Sequence, residues 1–201
     1  MAKSEPDPYL GPVLVLSAGP ATYLTELGYA PRLVLLNQIA VPDTVLSHLA
    51  RTRPELAAKL RATTRVLVAE PQPTFIDQVR RAGIRDEATA AAIGLALESH
   101  GVAVVDDSAG QRAASSLGLP LANSLGLLDQ LHRVSLAARP LRQDVLLMGQ
   151  YGFAIPPPVL TALRSGDPGW LRQAVAAEAL TLDWVGPAPP SAGPEVEELQ
   201  R

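Results

Sequence analysis

The stretch that decides the fold is VAVVDDSAGQRAASSLGLPLANSLGLL, residues 102–128. It opens on the apolar run 102–105, bounded by His100-Gly101 on one side and Asp106-Asp107 on the other. A short β-branched run of this kind is the pattern of a strand buried on both faces, as in a parallel sheet. A helical run over residues 109–117 follows and stops at Gly118. Residues 119–122 are apolar enough for a further strand, and Pro120 places it at a sheet edge, where a missing N–H is tolerated. Asn123-Ser124 then caps a helix over residues 125–137, with the Ser124 hydroxyl as the expected capping oxygen. Strand, acidic turn, helix, strand and capped helix make a βαβα unit. Its two aspartates fall outside the carboxyl end of a parallel strand, where open α/β sheets bind ligands.

Working outward, Asp86 begins the longest clean helix, residues 86–99, with small-residue packing at Ala91, Ala92 and Ala96. Before it come a helix over 74–82, a turn over 70–73 and the strand RVLVA at 65–69. Pro42-Asp43-Thr44 starts a long helix over 43–62, which Pro54 must break or restart. Residues 39–41 form a brief strand and 32–36 a short helix. The first strand is VLVL at 13–16, ended by Ser17-Ala18-Gly19-Pro20, and Pro20 suits the first turn of a helix reaching Gly28. Towards the other end, helices are expected over 141–148, 157–164 and 168–180, with Gly152 and Gly166 as breaks. The expected organisation is a flexible leader over 1–12, one domain over 13–185 and a disordered tail over 186–201, rich in proline and acids. There is no internal repeat.

Composition narrows the function classes. The 201 residues suffice for one α/β domain with a proper core. Apolar residues make up 47% and aromatics only 4%, which favours helices over an all-β architecture. Cysteine is absent, which excludes disulfides, thiolate zinc sites and cysteine nucleophiles. A net charge of −3 supplies no global attraction for nucleic acid, although Arg51, Arg53, Lys59, Arg61 and Arg65 form a local basic group. The first residues lack the basic-then-apolar order of a signal peptide, and no apolar run has membrane-spanning length, so a cytoplasmic protein is expected. Ser17 with His48 and an aspartate could suggest a hydrolase triad, but S-A-G-P lacks the strained G-x-S-x-G elbow. The glycines follow neither a phosphate-loop nor a dinucleotide pattern.

With the elements placed, the chain resembles the PIN-domain family, and within it the bacterial toxin-type branch. The resemblance is carried by LVLSAGPATYL (14–24), VPDTVLSHL (41–49), DEATAAAIGLALE (86–98) and, most specifically, residues 104–128. It implies a three-layer α/β/α fold with a central parallel sheet, here followed by extra C-terminal helices. It also implies acidic residues holding one or two Mg²⁺ or Mn²⁺ ions for RNA hydrolysis, and in many members a small antitoxin-like partner. A homodimer is a further expectation, and no membrane association is expected.

The family's acidic pattern is largely replaced. Ser17 stands where the first strand would end in an acid, His48 where the second motif carries one, and Thr89 where the third does. Only Asp106-Asp107 is intact. The candidate catalytic set is therefore Asp106, Asp107, Ser17, His48 and Thr89, with Asp106, Asp107 and Asp86 as candidate metal ligands. Mg²⁺ prefers several carboxylate oxygens, whereas a histidine nitrogen suits Mn²⁺ better. Asp86 lies on the same helical face as Thr89 but also suits an N-cap, and Asp43 suits a helix start. Two functions follow from the pattern: a protein that binds RNA or a protein partner with little or no cleavage, or a ribonuclease using Asp106 and Asp107 with substitute carboxylates.

Overall fold

The computed structural model describes residues 11–180; residues 1–10 of the expected leader and the whole expected tail, 186–201, lie outside the described residues. The first half contains β1 (Gly11–Leu16), α1 (Ala18–Glu26), α2 (Ala30–Leu33), β2 (Asn37–Pro42), α3 (Asp43–Thr52), α4 (Pro54–Ala62) and β3 (Val66–Ala69). Next come α5 (Pro73–Arg81), α6 (Glu87–Ser99), β4 (Val102–Val104), α7 (Ser108–Ser116) and β5 (Leu121–Ala122). The remaining helices are α8 (Ser124–Arg133), α9 (Leu141–Gln150), α10 (Pro157–Ser165) and α11 (Pro168–Glu178). The sheet order is β3-β2-β1-β4-β5 and every neighbouring pair is parallel, as the short apolar runs required. β5 is an edge strand, in keeping with Pro120.

Alternation along the strands separates two cores. Leu14, Leu16, Ile39, Val41, Val102 and Val104 face one layer, built from α1–α4 and α8–α11. Val15, Ala40, Ala103 and Val105 face the other, where Val79 of α5, Ile93 of α6 and Ala113 of α7 cover them. Both faces are covered, so the central strands read as continuous hydrophobic runs. The result is the expected α/β/α sandwich with additional helices at its C-terminal end.

Local chemistry moved several boundaries. The long helix divides at Arg53, whose extended φ of −147° precedes Pro54. The helix expected over 125–137 ends at Arg133, because Ser135 takes a positive φ of 59° and the Ala138 N–H donates to the Tyr29 hydroxyl. The cap of α8 is Asn123 rather than Ser124: Asn123 Oδ1 accepts the Gly126 N–H at 2.8 Å, and the Ser124 hydroxyl turns elsewhere.

Candidate active site

Parallel strands bring their carboxyl ends to one edge of the sheet, and the sequence places its polar residues on that edge. Ser17 follows β1, and its N–H donates to Val104 O of the neighbouring β4 at 3.1 Å. This bond sets Ser17 beside the residues that leave β4, of which the first polar one is Asp106. Ser17 is buried at the N-cap position of α1.

Asp106 is held from two directions. The Ser124 N–H donates to Asp106 Oδ1 at 2.8 Å and the Ser124 hydroxyl to Oδ2 at 2.7 Å. Ser124 thus offers both donors of its backbone and side chain from the first turn of α8. On the opposite side lies α1: a Cβ added to Gly19 would meet Asp106 Oδ2 at 3.2 Å and Tyr23 Cε2 at 3.5 Å. Gly19 therefore lets the carboxylate lie against the first turn of the helix. Burial pushes the Asp106 carboxyl above the usual carboxylate range, the two Ser124 bonds pull it back, and the neighbouring Asp107 charge adds to the rise.

Asp107 points differently. It is the N-cap of α7, and its Oδ1 accepts the Gly110 N–H at 2.7 Å. A Cβ on Gly110 would lie 2.5 Å from Val105 Cγ1, 2.9 Å from Asp107 Oδ2 and 3.1 Å from Thr89 Cγ2. Those three distances put the Thr89 side chain and the Asp107 carboxylate around one point, where α6, α7 and the end of β4 meet. Asp86 is the N-cap of α6, its Oδ1 accepting the Thr89 N–H at 2.7 Å. His48 is half-buried on α3, a helix that begins at the carboxyl end of β2 and packs on α1 and α6. Ser17, Asp106, Asp107 and Thr89 are thereby gathered at one edge of the sheet, and His48 lies on a helix that leaves that edge.

The donor set decides what this edge can hold. A hard divalent cation is bound by several carboxylate oxygens. Here one carboxylate, Asp106, is half-buried and doubly hydrogen-bonded, a second caps α7, and a third, Asp86, caps α6. Among the described residues no group of three or more His, Asp or Glu side chains is arranged to hold a metal ion. Each of these three carboxylates already accepts hydrogen bonds within the fold. Asp43 pairs loosely with Arg61 at 3.9 Å, and Glu70 accepts the Thr44 N–H and hydroxyl. Glu70 also leaves β3, three strand intervals from β4, or about 14 Å at the usual strand spacing.

Sequence reasoning missed Tyr23. It stands four residues after Gly19 on α1, so both lie on the same helical face, and that spacing was the available signal. Burial raises the Tyr23 phenol, the Asp106 charge raises it further, and Arg53 opposes both. Its ring packs edge-to-face on Phe153, with centroids 5.4 Å apart at 82°.

No helix among the described residues is long and apolar enough to cross a membrane. No curated protein matches the chain. A family model described as PIN domain matches residues 13–165, which spans β1 to the end of α10 and includes every candidate site residue. The parallel sheet, the polar carboxyl edge and this match agree, and the chain belongs to the PIN-domain family.

Proposed function

We propose that this protein is a nuclease-related protein of the toxin type that binds RNA at the carboxyl edge of its sheet and carries out little or no metal-dependent cleavage. The observation that carries the reading is the fate of the acids. By the resemblance set out above, Ser17, His48 and Thr89 fall where the family carries acids, and the remaining pair is engaged, Asp106 by Ser124 and Asp107 by the α7 backbone. Hydrolysis by a metal pair needs ions that activate water and stabilise the leaving oxygen, and each missing carboxylate weakens their hold. RNA binding has weaker requirements: cations for the phosphates and surfaces for the bases. Arg53 brings a guanidinium, paired with Glu26 of α1 at 2.9 Å, to the helix that carries Tyr23.

The test is a titration with Mg²⁺ and Mn²⁺, followed by incubation with single-stranded RNA. The unaltered protein is expected to bind Mg²⁺ poorly and to leave the RNA intact, with any residual cleavage stronger in Mn²⁺, where His48 can contribute a nitrogen. The combined change Ser17→Asp, His48→Glu and Thr89→Glu should raise metal affinity. Robust Mg²⁺-dependent cleavage by the unaltered protein, abolished by Asp106→Ala, would overturn the reading in favour of an active ribonuclease. RNA left unbound, with a small antitoxin-like protein bound instead, would move the function to partner recognition.

A further inference from the structure

The chain is poor in aromatics, six among residues 11–180, yet Tyr23, which lies by Asp106 across Gly19, pairs its ring with Phe153. We propose that Tyr23 and Phe153, with Arg53 beside them, form a base-stacking subsite on the rim of the Asp106 site, taking an unpaired base of single-stranded RNA. This rests on the RNA-binding reading above and names the feature of RNA that the site recognises.

Three observations converge on it. Gly19 places Tyr23 Cε2 and the Asp106 carboxylate around the same point, so a nucleotide at Asp106 has the tyrosine ring as its neighbour. Tyr23 and Phe153 pack against the rim of the core and are both half-buried, and their edge-to-face contact at 82° covers only one of the four ring faces. Solvent reaches this pair, and a flat base can replace that solvent. Arg53 supplies the positive charge. Its side chain is 38% exposed, Nη1 bonds Glu26 at 2.9 Å and Nη2 reaches Tyr151 O at 3.5 Å, so the guanidinium is held between the end of α1, which carries Tyr23, and the chain just before Phe153. An aromatic platform with a fixed arginine at its side is the equipment that single-stranded nucleic-acid sites use without reading sequence.

The experiment is fluorescence anisotropy with a short oligo-uridine strand and, in parallel, an abasic strand carrying the same phosphates. The unaltered protein should bind the uridine strand more tightly than the abasic one. Tyr23→Ala should lose about tenfold in affinity for the uridine strand, the size of one lost stacking contact, and should change abasic binding little. Phe153→Leu should weaken uridine binding in the same selective way, and Tyr23→Trp should restore it and show emission quenched by uridine but not by the abasic strand. Because Tyr23→Ala could unfold α1, Tyr23→Trp keeps the test decisive: a folded Trp variant with no quenching overturns the stacking subsite. Equal affinity for the two strands overturns the subsite and leaves RNA binding standing. No binding of either strand overturns both.

Discussion

Asp106 is subject to opposing effects on a single carboxyl group. Burial raises its pKa, the Ser124 N–H and hydroxyl lower it, and the Asp107 charge raises it again, with a net upward result. A folded-state pKa above the unfolded one means that ionisation at neutral pH is a cost to the fold. That cost is relieved as pH falls through the raised folded pKa towards the ordinary carboxylate range. Asp106→Asn keeps an oxygen for the Ser124 N–H and offers an amide donor to the Ser124 oxygen. It should therefore unfold at an equal or higher temperature than the parent near neutral pH, with the difference shrinking in mild acid. Thermal melts by circular dichroism at the two pH values check this. A clear loss at neutral pH would show that the two Ser124 bonds outweigh desolvation. A carboxylate whose charge costs stability is the arrangement expected where charge serves function rather than folding.

Helix starts explain which of the polar residues are committed to the scaffold. Asp86, Asp107, Asn123 and Asp167 each accept a backbone N–H at the start of α6, α7, α8 and α11. For Asp107 the cap predicts a distinct mutational signature. Asp107→Ala should lose about 1 kcal/mol, whereas Asp107→Ser should keep most of that stability, because any short oxygen acceptor caps. Denaturant midpoints of the two variants separate a capping role from one that needs charge. Asn123 does more than cap. Its Nδ2 donates to Glu178 O at 2.9 Å and its Oδ1 also accepts the Leu180 N–H at 3.1 Å, tying the chain after α11 to the start of α8. Gly126 makes that approach possible, since a Cβ there would lie 2.2 Å from Leu180 O. Gly126→Ala should cost about 1–3 kcal/mol through this overlap, despite alanine's better helix propensity. Urea unfolding checks it, and a stabilised variant would mean that the segment after α11 shifts freely.

At the scale of the molecule, the C-terminal helices are joined to the first layer by one buried polar cluster. Asp144 of α9 is fully buried and accepts from the Tyr29 hydroxyl at 2.7 Å and from Arg139 Nε at 2.8 Å, with His132 Nε2 at 3.0 Å. Arg139 continues to Leu27 O at 2.6 Å and stacks over the Tyr29 ring, its guanidinium 5.2 Å from the centroid. Burial alone would raise the Asp144 carboxyl, but bonds from His132, Tyr29 and Arg139 outweigh it and hold the group below the usual range. The sign follows directly. A lowered folded-state pKa contributes stability present above the unfolded pKa and lost as pH falls through the folded one, so the contribution disappears below the ordinary carboxylate range. Asp144→Ala leaves Arg139 and His132 without their partner and should destabilise by about 3 kcal/mol, the low end for a broken buried pair because Arg139 retains some solvent. Its acid-unfolding curve should also be shallower than the parent's over that same pH window.

What the sequence determined by itself is the layer plan and the sheet edge at which its candidate residues fall. Runs such as 13–16 and 102–105 suit strands covered on both faces, Pro54 breaks or restarts a helix, and Asp106-Asp107 follow β4 at its carboxyl end. These are consequences of local periodicity and of backbone chemistry, which one stretch of chain contains in full. The tertiary structure decided how each polar group is used. Asn123 and Ser124 are equally good caps by type, and the choice of Asn123 follows from Asp106 lying within reach of the Ser124 hydroxyl across the sheet edge. Tyr23 looks like an ordinary helix residue until Gly19 brings α1 against the carboxylate and Phe153, far along the chain, meets its ring. The Asp144 cluster joins residues 115 positions apart, from Tyr29 to α9. Pairings of that kind depend on where folded elements meet, and no local pattern of residues specifies them.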